Sequence, residues 1–193
     1  SRLALTKARQ IAPLNTDHSA NLARLYRTWG SLSSGQQQAQ RLNQALTYYA
    51  EATSLSPHNA QLFNEYGQTY VALGQAAEAQ KQAEQAAADY NDAMAKYQQS
   101  LTLDQKFETT YLLMGELAMQ RKNWTEAKSA YEKALTVNPR SAQAYSALGY
   151  IDTQLGDQTA AMQAYEKAVE LSPRNFANRK NLAIIYQQLG MYT

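Results

Sequence analysis

Apolar and small residues recur along this chain at steps of three and four, the spacing of one helix face. Within residues 142–175, Tyr145, Leu148, Gly149 and Asp152 mark a first helix that Leu155-Gly156-Asp157 closes, since glycine readily adopts the left-handed conformation of a helix end. A second helix carries Ala161, Ala164, Tyr165 and Ala168 on one face, and the Ser172-Pro173 step stops it. Shifting the chain by 34 residues superposes Tyr111 on Tyr145, Gly115 on Gly149, Ala127 on Ala161, Tyr131-Glu132-Lys133-Ala134 on Tyr165-Glu166-Lys167-Ala168 and Pro139-Arg140 on Pro173-Arg174. The ten-residue step from Pro139 to Gly149 recurs from Pro57 to Gly67, and with alanine from Pro13 to Ala23 and Pro173 to Ala183. A single helix pair of this kind cannot bury its own apolar face, so it stacks on copies of itself.

The pattern of Tyr145, Leu148-Gly149, Ala161, Tyr165, Ala168 and Pro173 resembles the tetratricopeptide repeat family. That resemblance implies an all-α protein, a right-handed superhelical array of antiparallel helix pairs. It also implies a concave face, lined by the first helix of each pair, that binds peptides or proteins. The expected organisation over 1–193 is a partial repeat 1–15 stopped at Ala12-Pro13, a repeat 16–59, a repeat 60–107, repeats 108–141 and 142–175, and a partial repeat 176–193. Both ends stop within a repeat and the last helix presents Leu182, Ile184, Ile185 and Tyr186 where a polar cap is usual, so the expectation is a fragment of a longer protein.

Two stretches break the period. Pro13 to Pro57 is ten residues over one period, and Ser31–Gln40, rich in Ser, Gly and Gln, predicts a surface loop, either a binding loop or a tolerated insertion. Gly67 to Gly115 is fourteen over. From Ala76 to Leu103 there is no Gly or Pro, and Ala76, Ala79, Ala83, Ala86, Tyr90, Ala93 and Tyr97 keep a seven-residue rhythm. This predicts one continuous helix over 76–103, entered through a short link at Gly74-Gln75 and shared by two sub-arrays, 1–88 and 89–193. The small residues on that stripe would pack on the flanking repeats or on a second copy. A homodimer through the long helix or the uncapped ends is the corresponding partner expectation.

Composition narrows function by exclusion. A net charge of +2 lacks the basic footprint of a nucleic-acid binder, and the absence of cysteine excludes disulfides, thiolate nucleophiles and Cys-ligated zinc. Two histidines, His18 and His58, leave little for a metal cluster, and no Gly-rich phosphate loop is present, so neither metal nor cofactor is expected. No apolar run reaches the ~20 residues of a membrane-spanning helix. Lack of cysteine suits reducing and oxidising compartments alike. Residues 1–45 carry a net +5 and the remainder −3, a polarity that would steer an acidic partner or merely reflect solvated helix faces. Asp17 and Ser19 beside His18 look like helix caps rather than a catalytic set, and no carboxylate pair is singled out for acid–base work. An enzyme is therefore not expected.

The candidate site is the first-helix face, which reads Arg24, Arg27 and Thr28; Asn64, Gln68 and Val71; Leu112, Glu116, Met119 and Gln120; Ser146, Tyr150 and Gln154; Lys180, Ile184 and Gln187. Most tyrosines repeat at fixed positions and read as packing, with Tyr150 the exception. Some tetratricopeptide proteins grip a terminal carboxylate with Lys and Asn in successive repeats. Asn64, Gln68, Leu112 and Glu116 do not supply that pattern. The leading expectation is a non-enzymatic scaffold binding a protein or peptide segment. The stretch Pro13–Tyr26 also resembles the repeat-bearing tails of bacterial membrane proteins similar to O-antigen polymerases or ligases. That resemblance implies a soluble accessory domain tethered to a membrane by segments outside this chain.

Overall fold

The structure, a computed structural model, describes residues 2–12 and 14–191, and of Arg9 the backbone alone. Pro13, expected to stop the first helix, lies outside the described residues, as do Ser1, Tyr192 and Thr193. Ten α-helices and no strand occur among the described residues: α1 Arg2–Ile11, α2 Thr16–Ser31, α3 Gly35–Leu55, α4 Ala60–Ala79, α5 Ala83–Leu103, α6 Glu108–Gln120, α7 Trp124–Val137, α8 Ala142–Leu155, α9 Gln158–Leu171 and α10 Phe176–Gln188. They form two compact units, Ser1–Gln105 and Lys106–Thr193. In the first, α2 packs on α3 and α4 on α5, with α3 against α4 and α1 against α2. In the second, α6 through α10 each pack on the next. Asn15, Asn59, Asn123, Ser141, Asp157 and Asn175 cap six helices by accepting a bond from a backbone N–H of the first turn. Asn15 thus takes the role expected of Asp17 and Ser19. Asp17 instead adds negative charge to the first turn of α2, and Ser19 is buried.

Each helix pair closes on a small residue facing a large one. A Cβ on Gly115 would lie 2.6 Å from the Tyr131 ring, and one on Gly149 would lie 2.9 Å from the Tyr165 ring. The absence of a side chain lets the helices approach, and the ring fills the space beside them. The two pairs share a turn. Seven residues after each glycine the chain takes a positive φ, 57° at Lys122 and 81° at Gly156, and the next helix starts at once.

The α4–α5 pair repeats this contact twice, which overturns the expected continuous helix over 76–103. The chain reverses at Gln80-Lys81-Gln82, with φ 62° at Lys81, seven residues after Gly74. Gly74 is therefore no link between helices; it is buried inside α4 and faces Tyr90, while Gly67 faces Tyr97. Moving seven residues up α4 while moving seven down α5 carries one contact onto the next, as an antiparallel pair requires. The fourteen extra residues are thus shared equally: α4 and α5 are 20 and 21 residues long against 13 and 14 for α6 and α7. The heptad rhythm is real, but it belongs to two arms of one hairpin. Ala76, Ala86, Tyr90, Ala93 and Tyr97 are buried within the hairpin, whereas Ala79 and Ala83, on either side of its turn, are exposed. The expected sub-array boundary at 88/89 falls within α5.

The ten-residue excess follows the same rule. The expected loop over 31–40 shrinks to Leu32–Ser34, because Gln36–Gln40 are good helix formers and continue α3. A Cβ on Gly30 would stand 2.7 Å from Leu42, one heptad along each arm from Ala23 and Tyr49, which share a core cluster.

Gly74→Ala should therefore lower stability, because overpacking against the Tyr90 ring, about 1–3 kcal/mol, exceeds the ~1 kcal/mol helix-propensity gain. Urea unfolding should show the loss shrinking when Tyr90→Leu is added. Removing residues 68–74 together with 90–96 should preserve cooperative unfolding, and removing either segment alone should abolish it; circular dichroism melts distinguish these outcomes.

Candidate functional site

The first helices of the first unit, α2 and α4, are joined across their facing sides by charge. Arg24 donates to both carboxylate oxygens of Glu65, from Nε at 2.8 Å and from a terminal nitrogen at 3.0 Å. The Gln61 amide donates to Glu65 at 3.1 Å, and the buried Tyr49 hydroxyl donates from α3 at 3.2 Å. Burial alone would raise the Glu65 carboxyl. The hydrogen bonds from Arg24 and Gln61, with the charges of Arg24 and Arg27, outweigh it and hold Glu65 below the ordinary glutamate value. Burial likewise pushes the Tyr49 phenol well up. Arg27 donates to Gln68 Oε1 at 2.9 Å and toward the Glu65 carbonyl at 3.4 Å. Arg24 alone pairs with the Glu65 carboxylate, and Arg27, held by an amide oxygen and a backbone carbonyl, leaves this face a net positive charge. Asn64, expected on the surface, is 2% exposed and belongs to the interior.

In the second unit, Leu112 and Met119 are half-buried against the core of α6–α8, and Gln120 is exposed at the end of α6. Glu116 accepts from Gln143 of α8 at 2.9 Å, and desolvation lifts its carboxyl above the usual value despite that bond. The Ser146 hydroxyl is turned back onto the Ala142 carbonyl at 2.7 Å. Tyr150 is 42% exposed, with its ring edge-on to Trp124 at 6.0 Å between centroids. Tyr150 and Gln154 form one wall of a hollow of about 200 Å³, with Ile184 and Gln188 of α10 opposite and Tyr165, Thr153, Asn181 and Ile185 completing it. Lys180 and Gln187 are exposed on α10.

Sequence reasoning missed Glu65, Trp124, Tyr165 and Asn181 as members of these faces. Glu65 could have been suspected as a carboxylate set among the amides Gln61, Asn64 and Gln68 of α4. Its pairing with Arg24 depends on a register that the added heptads hide. His18 sits half-buried in the first turn of α2, and its backbone N–H bonds to the Asn15 carbonyl at 3.2 Å. His58 is exposed in the α3–α4 turn. Among the described residues no His, Asp and Glu cluster has metal-binding geometry, and no helix is long and apolar enough to cross a membrane.

Antiparallel helix pairs, packed one on the next within each unit and closed by glycine against tyrosine, define a tetratricopeptide-type repeat protein. More particularly, the chain belongs to the family described as the tetratricopeptide repeat protein 21 C-terminal ARM domain, whose family model matches residues 8–187. Similar solved structures include MamA, at TM-score 0.68 and 21% identity over 91% of this chain and 83% of that one. TTC0263, a thermophilic TPR protein of Thermus thermophilus, gives TM-score 0.70 and 18% identity over 96% of this chain and 89% of that one. The first TPR of Spaghetti (RPAP3), bound to the HSP90 peptide SRMEEVD, gives 0.57 and 24% over 68% and 93%. No curated protein sequence matches the chain.

A depressed carboxyl contributes stability above its unfolded value, ordinarily near 4.5, and loses that contribution as pH falls through the folded value. Glu65→Gln should cost about 1–2 kcal/mol at pH 7, because Arg24 is partly exposed and solvent screens the pair. The difference between the two proteins should narrow below pH 4.5, as denaturant titrations at stepped pH would show.

Proposed function

We propose that this chain is a non-enzymatic scaffold that binds a segment of another protein along its first-helix faces. The observation that carries this reading is the chemistry of those faces. In the first unit, Arg27 and Gln68 present charge and amide beside the neutralised Arg24–Glu65 pair. In the second, Tyr150, Gln154 and Ile184 surround an apolar hollow, with Leu112, Glu116, Met119, Gln120, Ser146, Lys180 and Gln187 on the same series of helices. Amides and guanidinium groups can satisfy a backbone laid along the face, and half-exposed apolar groups reward burial of a side chain. The peptide held by the TPR of Spaghetti supports a peptide-binding use for this fold. The terminal-carboxylate grip is not carried over, because Asn64 is buried and Leu112 and Glu116 stand where cations or amides would be needed.

The resemblance of Pro13–Tyr26 to tails of O-antigen polymerase- or ligase-like proteins favours a second, narrower setting for the same scaffold, that of an accessory domain in bacterial surface-glycan assembly. Several apolar runs of ~20 residues in the flanking gene sequence would support this setting, and their absence would remove it.

Peptides selected by display on the whole chain should bind Tyr150→Ala/Met119→Ala at least tenfold more weakly in anisotropy titrations, the order expected for losing two apolar contacts. Unchanged affinity in a folded double variant would overturn the groove assignment.

A further inference from the structure

The hollow between α8 and α10 has a shape and a charge setting that specify its guest more narrowly. Its floor is made by Tyr165 and Ile185, both buried, and the Tyr165 hydroxyl is already committed, accepting from the Asn181 amide at 3.2 Å. Tyr150 and Ile184, 42% and 41% exposed, form opposing rims, so a side chain seated between them buries apolar surface on both. The volume, about 200 Å³, is below the ~300–1,000 Å³ of small-molecule pockets and suits a single large side chain. Gln154 lines the hollow with its amide, and Gln188, whose Oε1 accepts from Gln158 at 3.5 Å, adds an amide N–H for a passing peptide backbone.

One turn before Ile184, on the same face of α10, stands Lys180, exposed and without a carboxylate partner among the described residues. Four helical residues rise ~6 Å, close to the span of two residues of extended chain at ~3.3 Å each. Residues two apart also lie on the same side of an extended segment. A side chain in the hollow and a second one reaching Lys180 are therefore spaced as i and i+2 of one strand-like peptide.

We infer that the α8/α10 hollow is an anchor pocket for one large aliphatic or aromatic side chain of an extended partner segment, and that Lys180 pairs with a carboxylate two residues away from it. This inference rests on the groove reading above and names its recognition chemistry in the second unit. The pocket supplies affinity through burial, and Lys180 selects the register and sign of the neighbouring residue.

The probe is a set of fluorescein-labelled Ser/Gly-host peptides of eleven residues, with Leu, Phe or Ala at the centre and Glu, Gln or Lys two positions to either side. They are titrated by anisotropy against the whole chain. Leu or Phe with Glu should bind about tenfold or more tightly than Ala with Glu. Ile184→Glu, a change at a rim position that leaves the core intact, should erase the preference for Leu over Ala. Lys180→Glu should reverse the charge preference, so that the Lys-bearing peptide becomes the tighter one. Equal binding of Leu and Ala peptides, or a charge preference unmoved by Lys180→Glu, would overturn the pocket. If display-selected peptides lose affinity with Tyr150→Ala/Met119→Ala or Arg27→Ala but not with Ile184→Glu, the groove stands and the pocket falls. If none of these variants alters their binding, both fall.

Discussion

The fold depends on how closely two antiparallel helices can approach, and that distance is set where a residue without a side chain faces an aromatic ring. Gly115 against Tyr131, Gly149 against Tyr165, and Gly67 and Gly74 against Tyr97 and Tyr90 are one contact used four times. Because each ring is buried and the glycine opposite leaves no slack, this contact fixes register as well as distance. Helix ends and turns follow from that register. At Lys81 and Lys122 the chain accepts a left-handed backbone that glycine would adopt more easily, which shows packing overriding local preference.

The first unit shows what the rule permits. Both of its hairpins are longer than those of the second unit. In α4–α5 the added length comes as one heptad on each arm, so each ring still finds a glycine. Aromatic rings also line the packing of this unit: Tyr26 stacks on Tyr48, and Tyr49, Tyr66 and Tyr70 stack in series. The polar counterpart is Glu65, which gathers donors from α2, α3 and α4 at a single carboxylate. Truncating any one donor leaves the others in place, whereas removing the carboxylate leaves Arg24 and Tyr49 without their acceptor.

Much of this was legible in the sequence. The 34-residue spacing of Tyr, Gly, Ala and Pro marked the helix pairs of the second unit, and the tyrosine positions marked packing. The first unit was harder to read because a heptad insertion preserves the face pattern while moving the turn. Ala76 to Tyr97 scans as one stripe whether the chain runs straight or doubles back, and Gln80-Lys81-Gln82 contains neither Gly nor Pro to reveal the reversal. The candidate faces were legible as helix faces, but not as contacts. Arg24 reads only as one member of a helix face, because its partner, Glu65, is 41 residues away.

The distribution of aromatic residues has a practical corollary. Of two tryptophans in the chain, Trp29 lies in the first unit, edge-on to Tyr26, and Trp124 in the second, edge-on to Tyr150. Each half of the molecule therefore carries its own emitter beside a tyrosine able to donate excitation. Replacing either indole by phenylalanine would let the light from the other report on its half alone.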